Sequence, residues 1–186
     1  REAFIPDNDF LLEIDISAYH PTLAAQLVDF DFGEGDIHQA FADMYGVDYK
    51  KAKELTFKQL YGGVFKEYKD LEFFQKVEKY IDDISSKEEF VCKSGYVFKT
   101  DMKKQKLFNY ILQNTETYYN VLILEEIIRI LKHCKTNIIH YTYDSFLLDV
   151  SKDDKAVIEE ILDVFKSYKF NVKMEVGTNY GSLSVL

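Results

Sequence analysis

The alternation of apolar and polar positions changes period several times along the 186 residues. "DFLLEIDIS", Asp9 to Ser17, is an apolar run of strand length that ends at Asp15. "PTLAAQLV" then takes a helical pattern, with Pro21 at a first-turn position where its missing N–H is of no consequence. Helical spacing returns in "GDIHQAFADMYG" and "YKKAKELTFKQLYGG", with Gly46 and then Gly62 and Gly63 as stops. In "EFVCKSGYVFKT" two short β-rich runs flank Lys93, Ser94 and Gly95, which predicts a hairpin. A long helical stretch over about 104–132 follows, interrupted by nothing stronger than Asn114 and Asn120. "IIHYTYDSFLLDV", Ile138 to Val150, reads as two adjoining strands, "DDKAVIEEILDVFKSY" as an amphipathic helix and "FNVKMEV" as a strand. The sum is an α+β fold: a small antiparallel sheet packed on helices, with a mostly helical insertion. No Pro- or Gly-rich linker, internal repeat or low-complexity tract divides the chain into independent domains.

Composition sharpens this only in places. An apolar share of 47%, with 16% aromatics, supports a folded core. No run of about twenty apolar residues and no leader-like opening occurs, so no membrane partner is expected and a cytoplasmic location is. Cys92 and Cys134 stand alone, which fits a reducing compartment without a structural metal. The formal net charge of −9 hides an asymmetry: residues 50–106 hold fourteen Lys against ten Asp and Glu, a net of +4, which leaves −13 for the rest. Either the basic middle binds a polyanion while the acidic flanks collect cations, or the charges solvate surface helices.

Two constellations carry chemistry. Asp15 ends one apolar strand and Asp144 interrupts another. An ion buried without a partner is very costly, and two carboxylates side by side on paired strands need a cation between them. Magnesium suits such a place, since it accepts a few carboxylates, keeps water ligands and binds phosphates; two ions about 3.5–4 Å apart serve phosphoryl transfer. The alternative is a pair of turn-exposed aspartates. In the helix "YKKAKELTFKQLYGG", Lys50, Lys53, Phe57 and Tyr61 follow i, i+3, i+7, i+11 and share one face. The lysines can hold a triphosphate and the rings can stack on a base or sugar. Equally, Phe57 and Tyr61 can be core and the lysines solvated.

Taken in order, "REAFIP", "LLEIDIS", "GDIHQAFADMYGV", "KKAKELTFKQLYGG", "FNYILQNT", "HYTYDSFLLDV" and "VKMEVGTNYGSL" resemble the palm and fingers of a family A DNA polymerase. The most specific parts are Asp36-Ile37-His38 and the helix carrying Lys53, Phe57, Tyr61 and Gly62. No counterpart of the family's thumb or proofreading exonuclease is visible, so a thumb, exonuclease region or accessory protein is an expected further partner. The resemblance implies a DNA-dependent DNA polymerase with primer-template DNA and dNTPs as partners and two Mg²⁺ ions, or Mn²⁺, as cofactors, in a bacterial cell or for a phage or virus in its host. It places a palm at 1–35, a fingers-like helical insertion with a hairpin at 36–106, and the remaining palm at 107–186.

The same resemblance implies roles. Asp15 and Asp144 are the metal-binding aspartates, with the Ile16 carbonyl as a further ligand. Lys53 holds the nucleotide's phosphates and assists proton transfer to pyrophosphate, Phe57 lies under sugar and base, and Tyr61 guards the insertion site. His38 lies near the phosphates or, alternatively, is a helix N-terminal residue with local hydrogen bonds. Gly62, Asn109 and Gln113 fall at DNA-contacting positions. The segment between Tyr61 and Asn109 is shorter than usual for the family, which implies a reduced fingers subdomain, and this sequence departs from the family's motifs at three further places. Tyr49 stands where an Arg is usual, with Lys50 as a substitute charge but not a bidentate fork. His20 replaces a Glu that helps exclude ribonucleotides, which leaves His20 or Tyr19 to block a 2′-hydroxyl. Tyr143-Asp144-Ser145 stands where the family reads His-Asp-Glu. Two rival expectations follow: a catalytically weak nucleic-acid-binding module and a ribonucleotide-tolerant polymerase.

Overall fold

The computed structural model describes residues 2–186; Arg1, which opens the "REAFIP" motif, lies outside them. The elements are β1 (Phe10–Ile16), α1 (Tyr19–Val28), α2 (Ile37–Tyr45), α3 (Tyr49–Gly62), α4 (Glu72–Ser85), β2 (Glu89–Val91), β3 (Val97–Lys99), α5 (Lys104–Leu131), β4 (Asn137–Thr142), β5 (Ser145–Val150), α6 (Lys155–Ser167), β6 (Val172–Gly177) and β7 (Ser184–Val185). The α+β class is the one the residue pattern predicts. Among the described residues no helix is long and apolar enough to cross a membrane. The chain forms two compact units, Arg1–Tyr19 with Tyr119–Leu186 and His20–Tyr118. Nearly all of α1 and the first half of α5 fall in the second unit.

The first unit is built on an antiparallel sheet of order β4-β5-β1-β6-β7. Strand alternation sends Leu12, Ile14 and Ile16 to one face and Leu11, Glu13 and Asp15 to the other. Ile14 pairs with Phe146, whose ring meets Phe165 of α6 edge-on at 5.4 Å, so α6 covers the first face. Burial of each such side chain contributes about 1.5–3 kcal/mol. On the second face Leu11, Leu147 and Tyr180 form a buried cluster under Leu183, so the C-terminal segment seals one end. The other end is polar: Asp15 pairs with Ser145 on one side and Lys173 on the other, and Glu13 pairs with Glu175.

The second unit is helical. Asp36 caps α2 by accepting from the Gln39 N–H, and Gly46 ends it at φ +65°. Asp48 caps α3 through the Lys51 N–H. Phe41, Phe73 and Phe74 are fully buried and pack ring against ring, with Phe41 to Phe73 at 5.3 Å. The β2–β3 hairpin lays Phe90 and Phe98 on a cluster of Ile84, Cys92, Leu107 and Ile111. Burial pushes the Cys92 thiol up to about 11, which makes it a packing residue.

Candidate functional site

In the first unit, β1 and β5 bring the two aspartates together. The Ile16 N–H donates to the Asp144 carbonyl at 2.8 Å, one step beyond the Asp15–Ser145 pair, so backbone geometry sets the separation of the acids. Both line a cleft of about 420 Å³ that also holds Glu13, Ser145, Lys173 and Tyr180. Asp15 is half-buried, whereas Asp144 is exposed in the two-residue turn that joins β4 to β5. Turn exposure thus describes Asp144 alone. Tyr143 precedes it at φ +50°, a conformation that two-residue hairpin loops demand but that costs a non-glycine residue about 1–2 kcal/mol. Asn120 stabilises this turn: its Nδ2 donates to the Tyr143 carbonyl at 2.7 Å and to the Tyr141 hydroxyl at 2.8 Å, while its Oδ1 accepts from Tyr19 at 2.9 Å.

Glu13, two residues before Asp15, is buried at 8% exposure. Its Oε1 accepts hydrogen bonds from Ser145 Oγ at 2.6 Å and the Tyr180 hydroxyl at 2.8 Å. Ser145 therefore does not leave the cleft without a third carboxylate: one is supplied from the adjacent strand and held by charge-assisted bonds. Lys173 bonds Glu175 at 2.5 Å; that bond and charge hold its ammonium above the ordinary range, with Asp15 and Glu13 adding to the shift. Among the described residues no group of three or more His, Cys, Asp or Glu side chains converges to hold an ion unaided. A cation here would rest on Asp15 and Asp144, with water or substrate oxygens completing its shell, a donor set that fits Mg²⁺.

In the second unit, α3 buries Ala52, Leu55, Thr56, Gln59 and Leu60. The face carrying Lys50, Lys53, Phe57 and Tyr61 is thus not the core face. Lys50 and Lys53 are exposed, Phe57 is half-buried and Tyr61 is 37% exposed, with the two rings stacked at 5.9 Å. Lys58 is drawn into an ion pair with Glu54 at 2.5 Å; among the described residues neither Lys50 nor Lys53 forms one.

His38 is buried at 4% exposure, its ring 5.8 Å from Tyr49 and 6.0 Å from Phe57. Its Nδ1 has no hydrogen-bond partner, so the local bonds weighed for a helix N-terminal histidine are absent at that atom. Burial, and secondarily Lys53, hold its pKa below the ordinary value, with Asp36 opposing. Tyr49 donates to Asp36 Oδ2 at 3.1 Å instead of presenting a charge. His20 contacts Glu116 through Nε2 at 2.8 Å and bonds the Tyr61 hydroxyl through Nδ1. Asn109 Nδ2 donates to the Tyr61 carbonyl at 3.1 Å, while Gly62 and Gln113 are exposed. His20, Tyr61 and Asn109 are thereby brought together.

The sequence reading missed Glu13, Tyr180, Asn120 and Glu116. The period of a strand could have found Glu13, since it shares a face with Asp15.

An antiparallel sheet with acids at adjoining strand ends, together with a helical unit, makes an α+β fold. Among solved structures, the chain is similar to the POL domain of Pol1 from M. smegmatis in complex with DNA primer-template and dNTP, with a TM-score of 0.80 and 14% identity. The likeness covers 96% of this chain and 41% of that one, so the chain spans about two fifths of its neighbour's length, and at this identity the likeness is one of fold. No protein-family model and no curated protein matches the sequence.

Proposed function

We propose that this chain is the catalytic part of a template-directed nucleotidyltransferase, a DNA-dependent DNA polymerase that adds dNTPs to a primer 3′-end. The observation that carries the proposal is the pair Asp15, on β1, and Asp144, in the β4–β5 turn, brought together by the Ile16–Asp144 backbone bond and lining one cleft. The POL-domain fold and that neighbour's primer-template and dNTP support nucleic acid and nucleotide as partners.

Each residue has a physical task. Asp15 and Asp144 would hold Mg²⁺, with the Ile16 carbonyl as a further oxygen, and the metal would supply charge neutralisation for phosphoryl transfer. Glu13 keeps Ser145 and Tyr180 in place beside the acids. Lys53, exposed and without an ion pair, meets the triphosphate as a point charge and gives a proton toward pyrophosphate. Phe57 and Tyr61 form a stacked pair against which sugar and base rest. His38, buried behind Phe57, supports that ring from within. Gln113, Asn109 and Gly62 contact DNA.

Primer extension with dNTP and rNTP sets, in Mg²⁺ and in Mn²⁺, tests the proposal. Extension with dNTPs, lost in Asp15→Asn and Asp144→Asn, is expected. Undiminished extension by either variant would sink the assignment. Binding of primer-template without any incorporation makes the chain a binding module, and preference for rNTPs makes it the ribonucleotide-tolerant form.

A further inference from the structure

We infer that Glu116 is a positioning residue that sets the tautomer of His20 and, through it, the orientation of Tyr61 at the last turn of α3. The three side chains come from three helices, α5, α1 and α3, and form one hydrogen-bonded line. Glu116 Oε2 lies 2.8 Å from His20 Nε2, with both side chains 13% exposed, and His20 Nδ1 bonds the Tyr61 hydroxyl.

The direction of the bonds follows from what each group can donate. An ionised carboxylate only accepts, so His20 Nε2 carries a hydrogen. In a neutral imidazole Nδ1 is then bare, and the Tyr61 O–H must be its donor. Tyr61 itself is 37% exposed, and fixing an exposed side chain in one rotamer costs conformational entropy. The His20 bond, the Asn109 bond to the Tyr61 carbonyl and the stack on Phe57 hold it in one orientation before any ligand arrives. A ring ordered in advance costs a binding partner less than one ordered on arrival. Glu116 touches no reacting atom in this scheme; it acts through His20, as an outer carboxylate does behind a ligating imidazole. Its consequence for nucleotide incorporation rests on the nucleotidyltransferase function proposed above.

The test is imidazole ¹⁵N NMR of His20 in the full chain, followed through a pH series until the ring is neutral, alongside single-nucleotide incorporation kinetics. The unmodified protein is expected to show the Nε2-protonated tautomer. Glu116→Gln, whose amide can donate to Nε2 as well as accept from it, should raise the Nδ1-protonated share, turn the Tyr61 hydroxyl from donor to acceptor and raise the KM for dNTP about tenfold with kcat within about twofold; Glu116→Asp should restore much of the lost affinity. An Nδ1-protonated His20 in the unmodified protein overturns the inference even if the variants do not fold. So does an unchanged tautomer in Glu116→Gln, or an unchanged KM in an active enzyme. If the unmodified protein incorporates no nucleotide, the polymerase function falls, while the ¹⁵N shifts still decide the role of Glu116.

Discussion

Asp15 and Asp144 are placed by backbone, whereas Phe57 and Tyr61 are placed by side chains. In the first unit a strand ladder and the Ile16–Asp144 bond fix where each acid leaves the chain, whichever side chain stands there. In the second unit α3 fixes only Cα positions; ring stacking, His20 and Asn109 determine where Tyr61 points. Substitution at the ladder should therefore change chemistry and spare geometry. Substitution around α3 should change geometry as well.

The largest effect that separates the two regions is expected at Lys53. Lys53→Ala should lower kcat for dNTP incorporation by about 10²–10³-fold, the loss typical of one transition-state donor, while the urea midpoint stays put because the side chain is exposed. A large fall in stability would show that the α3 face is structural after all.

Glu13 tests the opposite corner. Glu13→Ala leaves the Ser145 and Tyr180 hydroxyls without their acceptor and should cost about 3 kcal/mol of unfolding free energy by urea denaturation. Asp149 is a useful companion. It is buried and accepts from the backbone N–H groups of Asp7 at 3.0 Å and Asn8 at 3.1 Å, so Asp149→Ala should destabilise similarly without involving the cleft. Activity lost per unit of stability lost should be greater for Glu13.

A smaller effect is expected from pH. Burial holds His38 below its ordinary pKa, so the unfolded chain takes up that proton at a higher pH than the folded one. Its contribution to stability is full above about pH 6.5, declines as pH falls through that value, and levels off once the folded imidazole also protonates. Urea midpoints between about pH 5 and 8 should fall on acidification, and His38→Gln should flatten that slope.

The smallest effect is at Tyr143. Its ring is 75% exposed and its backbone is at φ +50°, so Tyr143→Gly should stabilise the protein by about 1 kcal/mol or less, visible as a small rise in Tm.

What could be read in advance divides along the same line. Strand period, helix caps and glycine stops are local signals, so β1, α2, α3, α5 and the β4–β5 hairpin stand close to where the residue pattern puts them. The shared face of Lys50, Lys53, Phe57 and Tyr61 was legible from spacing, but whether it was the buried face was not; that depended on where Ala52, Leu55 and Leu60 found their partners. β7 is two residues long and exists only through pairing with β6, so nothing local announces it. Tyr180 reaches Glu13 across 167 positions and Glu116 reaches His20 across 96, so neither pairing carries a local signal. Asn120 read as a weak helix interruption because its task, holding the Tyr143 turn, lies on another element.

The central claim is that Asp15 and Asp144 act as one cation site. Titration of Mn²⁺ followed by electron paramagnetic resonance, on the unmodified chain and on Asp15→Asn and Asp144→Asn with primer-template and dNTP present, tests it most directly. The account predicts saturable binding that weakens at least about a hundredfold in each variant, beyond the 10–100-fold that outer-shell residues supply. Mn²⁺ binding of equal strength in all three proteins would contradict it.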